Sequence, residues 1–560
     1  MESLSRKQRC VILLLLLCMG FVLRLSVALS AWAITPDGTR YAEVARLFAG
    51  GHLFEGLSWS PSYPFLIPPV YPFLIACLSP IVPDLELAGR LVSVVMGTIL
   101  ILPGYVLARR LFGSTVGLLS AFFIAIHPRL LYYGGSVLSE STYMSLATAA
   151  VERGWVAIEE RGRGAALATG LLVGLAYLTR PEGGGIALLI GGWLLWRVVQ
   201  GPERRQLLTV LGALAVGLLP FVVPYVLLIY STRGSLMVSG KFRVAPAEWI
   251  PLAASLLILV VIGELICRWC LKNKYVIFWL LAGLLVVFAF SFIFAPPQGV
   301  KPQLILAQEG PLAFFRALGI SLFWEAKRFP EALSLAPFFL FLIGALARSA
   351  GPYQRRGEAY LRTITLFFLA LVAIFLPRRR YLVPLLPFLL PWAGIGFIEV
   401  RERVRPWFEH RYGSGRGEAL VRKGMAGLLV LIALTHTPLG LVPVGKLRAA
   451  YKEIGSRLHP LVGRDTLIMA ETPQVSFYAG AAYYPLSSRS FATALADARV
   501  QGVEYWLIKP SKVPEWKEEL EAAERRGDLV RVDSVRNAKG EQLVMYRLGE
   551  GKRKSPQAAR

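Results

Sequence analysis

Residues 10–33 read CVILLLLLCMGFVLRLSVALSAWA, and Arg24 is the only charged side chain among them. At about 1.5 Å of rise per helical residue, such a block is long enough to cross a hydrocarbon core roughly 30 Å thick. It follows the basic start Ser5-Arg6-Lys7-Gln8-Arg9, as a signal peptide's apolar segment would. Its apolar core is longer than a signal sequence's, and no small-x-small cleavage site directly follows. The reading is an uncleaved first span.

Similar blocks recur along the chain, at 86–108, 115–132, 137–152, 165–180, 184–199, 207–230, 250–268, 276–295, 333–347, 362–376, 381–398 and 424–443. With the first, they make about thirteen crossings. The composition agrees, since 55% of residues are hydrophobic and 17% charged, against about 25% charged in a soluble domain. The net charge of +25 would suggest nucleic acid in a soluble protein. Here the excess falls in alternating short loops: Arg6/Lys7/Arg9, Arg109/Arg110, Arg161/Arg163, Arg204/Arg205, Lys272/Lys274, Arg355/Arg356 and the run 401–423. That is the positive-inside pattern, which puts the N-terminus in the cytoplasm and the C-terminus outside; the cell (inner or plasma) membrane is the expected location. No nucleic-acid partner is expected.

Three outward regions exceed simple connectors: 34–85, 296–332 and the tail after 443. In 38–50, Tyr41, Val44, Ala45 and Phe48 recur at helical spacing, with Arg40 and Glu43 on another face, which predicts an amphipathic helix at the membrane surface. The prolines of 60–72 discourage a regular helix until after Pro72. The tail is soluble in composition. Helices are predicted at 447–458 and 514–526, and strands at 466–470, 505–509, 529–535 and 542–548, with Asn537-Ala538-Lys539-Gly540 as a hairpin loop. The expected organisation is an all-α polytopic membrane domain, 1–443, a small α/β domain, 444–550, and a disordered basic tail, 551–560. The five cysteines suggest no disulfide framework, and the lone Cys267/Cys270 pair lacks the partners of a zinc site.

The chemistry must come from a few charged side chains. Asp37 follows the first span at its outer end, where a carboxylate beside a low-dielectric wall can deprotonate an acceptor hydroxyl. An aspartate before a helix is also a favoured N-cap, and both readings stand on sequence alone. Arg24, Arg90, Glu140, Arg180 and Glu264 lie in or at the ends of spans, where ionisable groups are costly. Arg24 reads as a snorkelling side chain and Glu264 as ordinarily solvated. Glu140 opens the fourth span and Arg180 closes the fifth, so both share the outer leaflet with Asp37. Arg378-Arg379-Arg380-Tyr381 sits at the outer start of the twelfth span, against the positive-inside trend. Arginine's planar fork suits phosphate, and a lipid carrier's phosphate is the natural counter-charge, with lipid headgroups as the alternative. His127 reads as structural. No Walker loop, H-E-x-x-H or Ser/His/Asp set occurs.

These segments resemble, in order and sidedness, the C-type superfamily of membrane glycosyltransferases. The nearer branch holds the aminoarabinose transferases and the protein O-mannosyltransferase-like enzymes of glycosyltransferase family 39. The resemblance rests on Pro36–Ala42, on Pro68-Pro69-Val70-Tyr71-Pro72, on Leu178–Gly183 and on Arg380-Tyr381-Leu382-Val383-Pro384-Leu385-Leu386-Pro387. It implies inverting transfer of a hexose or pentose from a polyprenyl-phosphate donor to a glycolipid, polysaccharide or protein, in cell-envelope glycan synthesis or protein glycosylation. Asp37 would be catalytic. Arg180, Arg380, Tyr381 and Arg379 would bind the donor phosphate, and Glu140, Tyr41 and Arg40 the substrates. Two departures leave sugar and acceptor open: Gly38 stands where relatives often have a second acid, and Ile67-Pro68 where the aminoarabinose enzymes have Glu-Lys. A metal is not expected, although Asp37 and Glu140 are the acids a divalent ion would need.

A transporter or flippase of lipid-linked glycans is the main alternative. It commonly shows internal two-fold repetition and broken midplane helices, whereas this chain has no convincing repeat and its suggestive charges sit at outer span ends. A polysaccharide ligase or polymerase would lack the aspartate-bearing first loop. A non-catalytic scaffold is the remaining class.

Overall fold

The computed structural model describes residues 4–58, 66–200, 204–233, 249–272, 302–347, 351–375, 378–486 and 490–549. Among these, seven helices are long and apolar enough to cross a membrane, or nine if two bent pairs each count as one span. The expected span at 276–295 and most of the basic pair region at 272–274 lie outside the described residues. The expected spans at 137–152 and 165–180 correspond to helices Glu140–Glu159 and Arg163–Tyr177. The first of these is enclosed by its neighbours along nearly its whole length.

Two expected elements are broken, and the breaks explain two charged residues. The span at 115–132 is a helix, Ser114–Ile126, that turns by 59° into Pro128–Gly134. Pro128 has no N–H to give Ile124 O, and the Arg129 N–H instead donates to His127 Nδ1 (3.2 Å). The orphaned carbonyls of Ile124 and Ala125 accept from Arg24, at 2.9 and 3.2 Å. Arg24 is fully buried, so it does not snorkel as expected. It plugs a broken helix end. Gly20, Gly97 and Gly134 leave room for it, since a Cβ at any of them would lie within about 3 Å of its side chain. Replacing Arg24 with methionine would fill similar volume but strand both carbonyls. It should destabilise the protein by about 2–5 kcal/mol, read as earlier thermal aggregation in detergent.

The second break follows Leu333. Residues 296–332 were expected as an outward region that is more than a connector, with no elements assigned; within it Pro302–Glu309 and Pro311–Leu333 are helices, and the chain then turns by 109° into Leu335–Ala345. Pro302 and Pro311 each open their helix, where a missing N–H costs nothing. His127 Nε2 bonds to Leu333 O (2.9 Å), tying the two bends together. His127 is structural.

The helix that follows the first span is Pro36–Ala49, with Val44, Ala45 and Phe48 buried as the periodicity predicted. A further helix, Val70–Leu78, starts before Pro72 rather than after it. Pro72 occupies the first turn, where an N–H has no helical partner to lose.

After Ser414–Gly440 the chain forms a mixed sheet. Its strands are β1 (Leu467–Ala470), β2 (Ala482–Pro485), β3 (Tyr505–Ile508), β4 (Leu529–Arg536) and β5 (Gln542–Leu548), in the order β2-β1-β3-β5-β4. The pairs β1–β2 and β1–β3 are parallel; β3–β5 and β5–β4 are antiparallel. Alternation in β3 sends Trp506 and Ile508 toward Phe491, Trp516 and Leu520, and Tyr505 and Leu507 toward Ile454, Leu458 and Val475. Helices therefore cover both faces. β2 and the helices Gln474–Ala479 and Phe491–Gln501 were not foreseen; Gln474–Ala479, at six residues, spans under two turns and carries no periodic signal.

Candidate active site

Four separated segments converge at one end of the helical region. Asp37 lies in the first turn of Pro36–Ala49, but it is not the cap: Thr35 Oγ1 accepts the Gly38 N–H at 3.0 Å. The Asp37 carboxylate is thereby left to other partners. Arg380 Nη1 donates to Asp37 Oδ2 at 2.5 Å, and Arg40 Nη1 lies 3.7 Å from Asp37 Oδ1. The same Arg380 donates through Nε to Glu140 Oε1 at 2.7 Å. Glu140 Oε1 also pairs with Arg180 Nη1 at 2.8 Å, and Arg180 Nη2 reaches Glu182 at 3.3 Å. The result is a continuous chain, Asp37–Arg380–Glu140–Arg180–Glu182. With Arg40 it holds three guanidinium and three carboxylate groups.

Local structure sets this up. Asp37 and Glu140 each occupy the first turn of a helix, where the positive end of the macrodipole favours a carboxylate. Arg180 ends the run after Arg163–Tyr177, and Pro181 forces the chain out of that helix. Arg380 lies in a 3-10 turn, Arg379–Leu385, whose successive side chains point about 120° apart. That spacing splits the arginine cluster. Arg379 faces away and pairs with Glu331 at 2.9 Å, so it is not brought into the chain of ion pairs.

Tyr381 and Tyr143 flank Arg180, their ring centres 5.7 and 5.8 Å from its guanidinium carbon. Tyr41 shares a hydrogen bond with Ser139 (3.0 Å). Burial, with the charges of Asp37 and Glu140, pushes the Tyr41 phenol up to about 12, so it stays protonated. Arg180, Glu182, Tyr143 and Tyr381 line a cleft of about 370 Å³, part of it open solvent, whose remaining wall includes Phe368, Leu371 and Phe388.

Exposure divides the two acids. The Asp37 side chain is 37% exposed, whereas Glu140 is 0% exposed. Glu140 Oε2 and Arg180 Nε are buried without a hydrogen-bond partner among the described residues. Of the predicted residues, Asp37, Arg40, Glu140, Arg180, Arg380 and Tyr381 come together with Tyr41 alongside. Glu182 and Tyr143 were missed. Glu182 stands two residues from Arg180 in a motif already singled out, and Tyr143 one helical turn after Glu140; both spacings were visible. Arg90 instead pairs with Glu86, and Glu264 with Arg362 and Arg268. Glu264 is thus held by ion pairs rather than by solvent alone. Among the described residues, no group of three His, Cys, Asp or Glu side chains is arranged to hold a metal ion.

Gly38 has a steric reason. A Cβ there would lie 2.8 Å from both Ile34 Cγ1 and Val137 O, so no second acid fits beside Asp37. Gly38→Ala should cost about 1–3 kcal/mol, measured as a lowered midpoint of thermal inactivation, and shift Asp37 against Arg380.

Residues 67–229 match the family model of dolichyl-phosphate-mannose-protein mannosyltransferases. The match takes in Glu140, Arg180 and Glu182 but not Asp37 or Arg380. No curated protein matches the chain in sequence. Among solved structures, an Archaeoglobus fulgidus oligosaccharyltransferase in its apo form is 12% identical over 91% of this chain and 70% of its own, with a TM-score of 0.58. The oligosaccharyltransferase AglB of the same organism, in complex with an inhibitory peptide and a dolichol-phosphate, is 12% identical over 96% and 74% (TM-score 0.57). ArnT from Cupriavidus metallidurans bound to undecaprenyl phosphate is 13% identical over 97% and 98% (TM-score 0.56). At these identities the likeness is one of fold. This multi-pass membrane chain is similar, in fold over nearly its whole length and in sequence over residues 67–229, to the membrane glycosyltransferases of the C-type superfamily.

Proposed function

We infer that the chain is a membrane glycosyltransferase that moves a sugar from a polyprenyl-phosphate donor to an acceptor at the outer face, with inversion. The observation that carries this reading is the cleft. It joins Arg180 and Tyr381 to an apolar wall, beside an exposed carboxylate linked to them through Arg380 and Glu140. A lipid phosphate needs that combination of cation and apolar surface.

Asp37 is the acid an acceptor can reach. It takes the hydroxyl proton as the acceptor oxygen bonds to the anomeric carbon and the carbon–phosphate oxygen bond breaks. Arg380, turning from Asp37 to the phosphate, frees the base and stabilises the charge on the leaving lipid phosphate, together with Arg180. Tyr381 donates a hydrogen bond to the same group. Glu140, sealed from solvent, holds both arginines rather than touching substrate. Arg40 and Tyr41 border the acceptor side, and Arg379 lies too far round its turn to share the phosphate. Residues 1–443 form the membrane part, with a cytoplasmic N-terminus, and 444–550 an outward domain. No step requires a metal. Purified protein in liposomes, given a labelled polyprenyl-phosphate sugar outside, should release lipid phosphate and label an added glycolipid, polysaccharide or peptide. Uptake of sugar or glycolipid into the vesicles without transfer would establish the transporter reading instead.

A further inference from the structure

The residues leading into Asp37 are held from the far end of the chain. The first helix ends at Ser30 and the next begins at Pro36, and Ala31 between them is extended. The Trp32 N–H donates to Val444 O (2.8 Å). The Ile34 N–H donates to Tyr478 Oη at 2.7 Å, and Gln474 Nε2 donates to Ile34 O at 2.8 Å. Both polar groups of Ile34 are therefore satisfied by one short helix, Gln474–Ala479, more than 430 residues away. Gln474 is buried.

The clamp is itself braced. Tyr478 Oη donates to Glu86 Oε2 at 3.0 Å, and Lys452 Nζ lies 3.3 Å from the same oxygen and 5.2 Å from the Tyr478 ring centre. Glu86 pairs with Arg90, whose other nitrogen donates to Ala28 O (3.0 Å), in the last turn of the first helix. Gly445 (φ +81°) presses against the Ala33 peptide, where a Cβ would lie 2.5 Å from Ala33 O. Thus residues 28–34 are gripped on both sides by side chains and backbone from elsewhere, three residues before Asp37.

We propose that Gln474 and Tyr478 are positioning residues for catalysis: the C-terminal domain fixes the peptide that carries Asp37, and transfer requires that domain to be docked. The proposal rests on Asp37 being the base. A buried peptide group without its partner seeks another conformation, and a shift of about 1 Å at a reacting group can cost about a hundredfold in rate. The clamp acts on geometry, not on donor affinity, so its loss falls on kcat.

The test uses full-length protein in liposomes. Tyr478→Phe keeps the ring but removes both hydrogen bonds; Gln474→Leu removes the other one. Each should lower kcat by about tenfold or more, leave KM for the polyprenyl-phosphate donor within about threefold, and speed hydrogen–deuterium exchange across 31–36. Lys512→Ala breaks an exposed pair with Glu471 in the same domain and should change neither readout. Wild-type kcat in both clamp variants overturns the proposal, whether or not exchange rises. So does a parallel rise in KM with unchanged kcat. If either variant fails to insert, the other carries the test. Failure of the base reading shows separately, as retained turnover in Asp37→Asn.

Discussion

Asp37→Asn is expected to lower sugar transfer by about a thousandfold while leaving insertion, thermal stability and donor KM near their native values. General bases contribute about 10²–10⁴ in rate. Asparagine matches aspartate in shape, and its side-chain oxygen still accepts from Arg380, so the ion-pair chain keeps its geometry apart from one charge. What vanishes is the proton acceptor. Asp37 does not cap its helix, since Thr35 does, which removes the usual structural cost of changing an aspartate at a helix start. Asp37→Glu restores the carboxylate one methylene further out, off the position that Arg380 and Arg40 hold, and should recover only part of the rate. Single-turnover transfer of label in liposomes separates chemistry from product release. Turnover of Asp37→Asn within tenfold of wild type would remove Asp37 as the base.

Arg380→Ala should be the other severe substitution, and it differs in kind. Arg380 bridges Asp37 and Glu140 through different nitrogens, at 2.5 and 2.7 Å. Without it, Glu140 remains buried with Arg180 as its remaining ion partner. Breaking a buried pair costs about 3–5 kcal/mol; Arg380 is about a third exposed and Arg180 stays, so the lower end applies. Transfer should fall by about 10²–10³ through loss of charge stabilisation on the leaving phosphate. Arg380→Lys keeps the charge, but one compact ammonium does not reproduce a two-nitrogen fork, and it should recover stability more than rate. Thermal inactivation and kcat measured on the same preparations distinguish these outcomes. Arg379→Ala, which loses an exposed pair with Glu331, serves as the neighbouring contrast. A rate for Arg380→Ala equal to that of Arg379→Ala would show that the bridge has no part in catalysis.

The sequence by itself determined that the chain lies in a membrane, because block length and composition answer to the thickness of a bilayer and need no tertiary information. It also singled out Asp37, Glu140 and Arg180, whose span ends were read to share one leaflet, and Arg380, whose basic cluster stands against the positive-inside trend. The strands β1, β3, β4 and β5 were legible from their β-branched and aromatic runs, and β4–β5 from the loop at Asn537–Gly540. Only the tertiary structure decided how these charges are used. Arg24 looked like a snorkelling side chain, but it serves carbonyls freed by Pro128, an interaction spanning a hundred residues. Arg379 and Arg380 are neighbours in sequence, yet a 3-10 turn sends one to Glu331 and the other to Asp37. Glu140 became a holder of arginines when folding left it no exposed surface. The grip of Gln474 and Tyr478 on Ile34 was invisible for the same reason. Local periodicity reports which face of an element is apolar, while the partner of a buried polar group is set by chain segments hundreds of residues away.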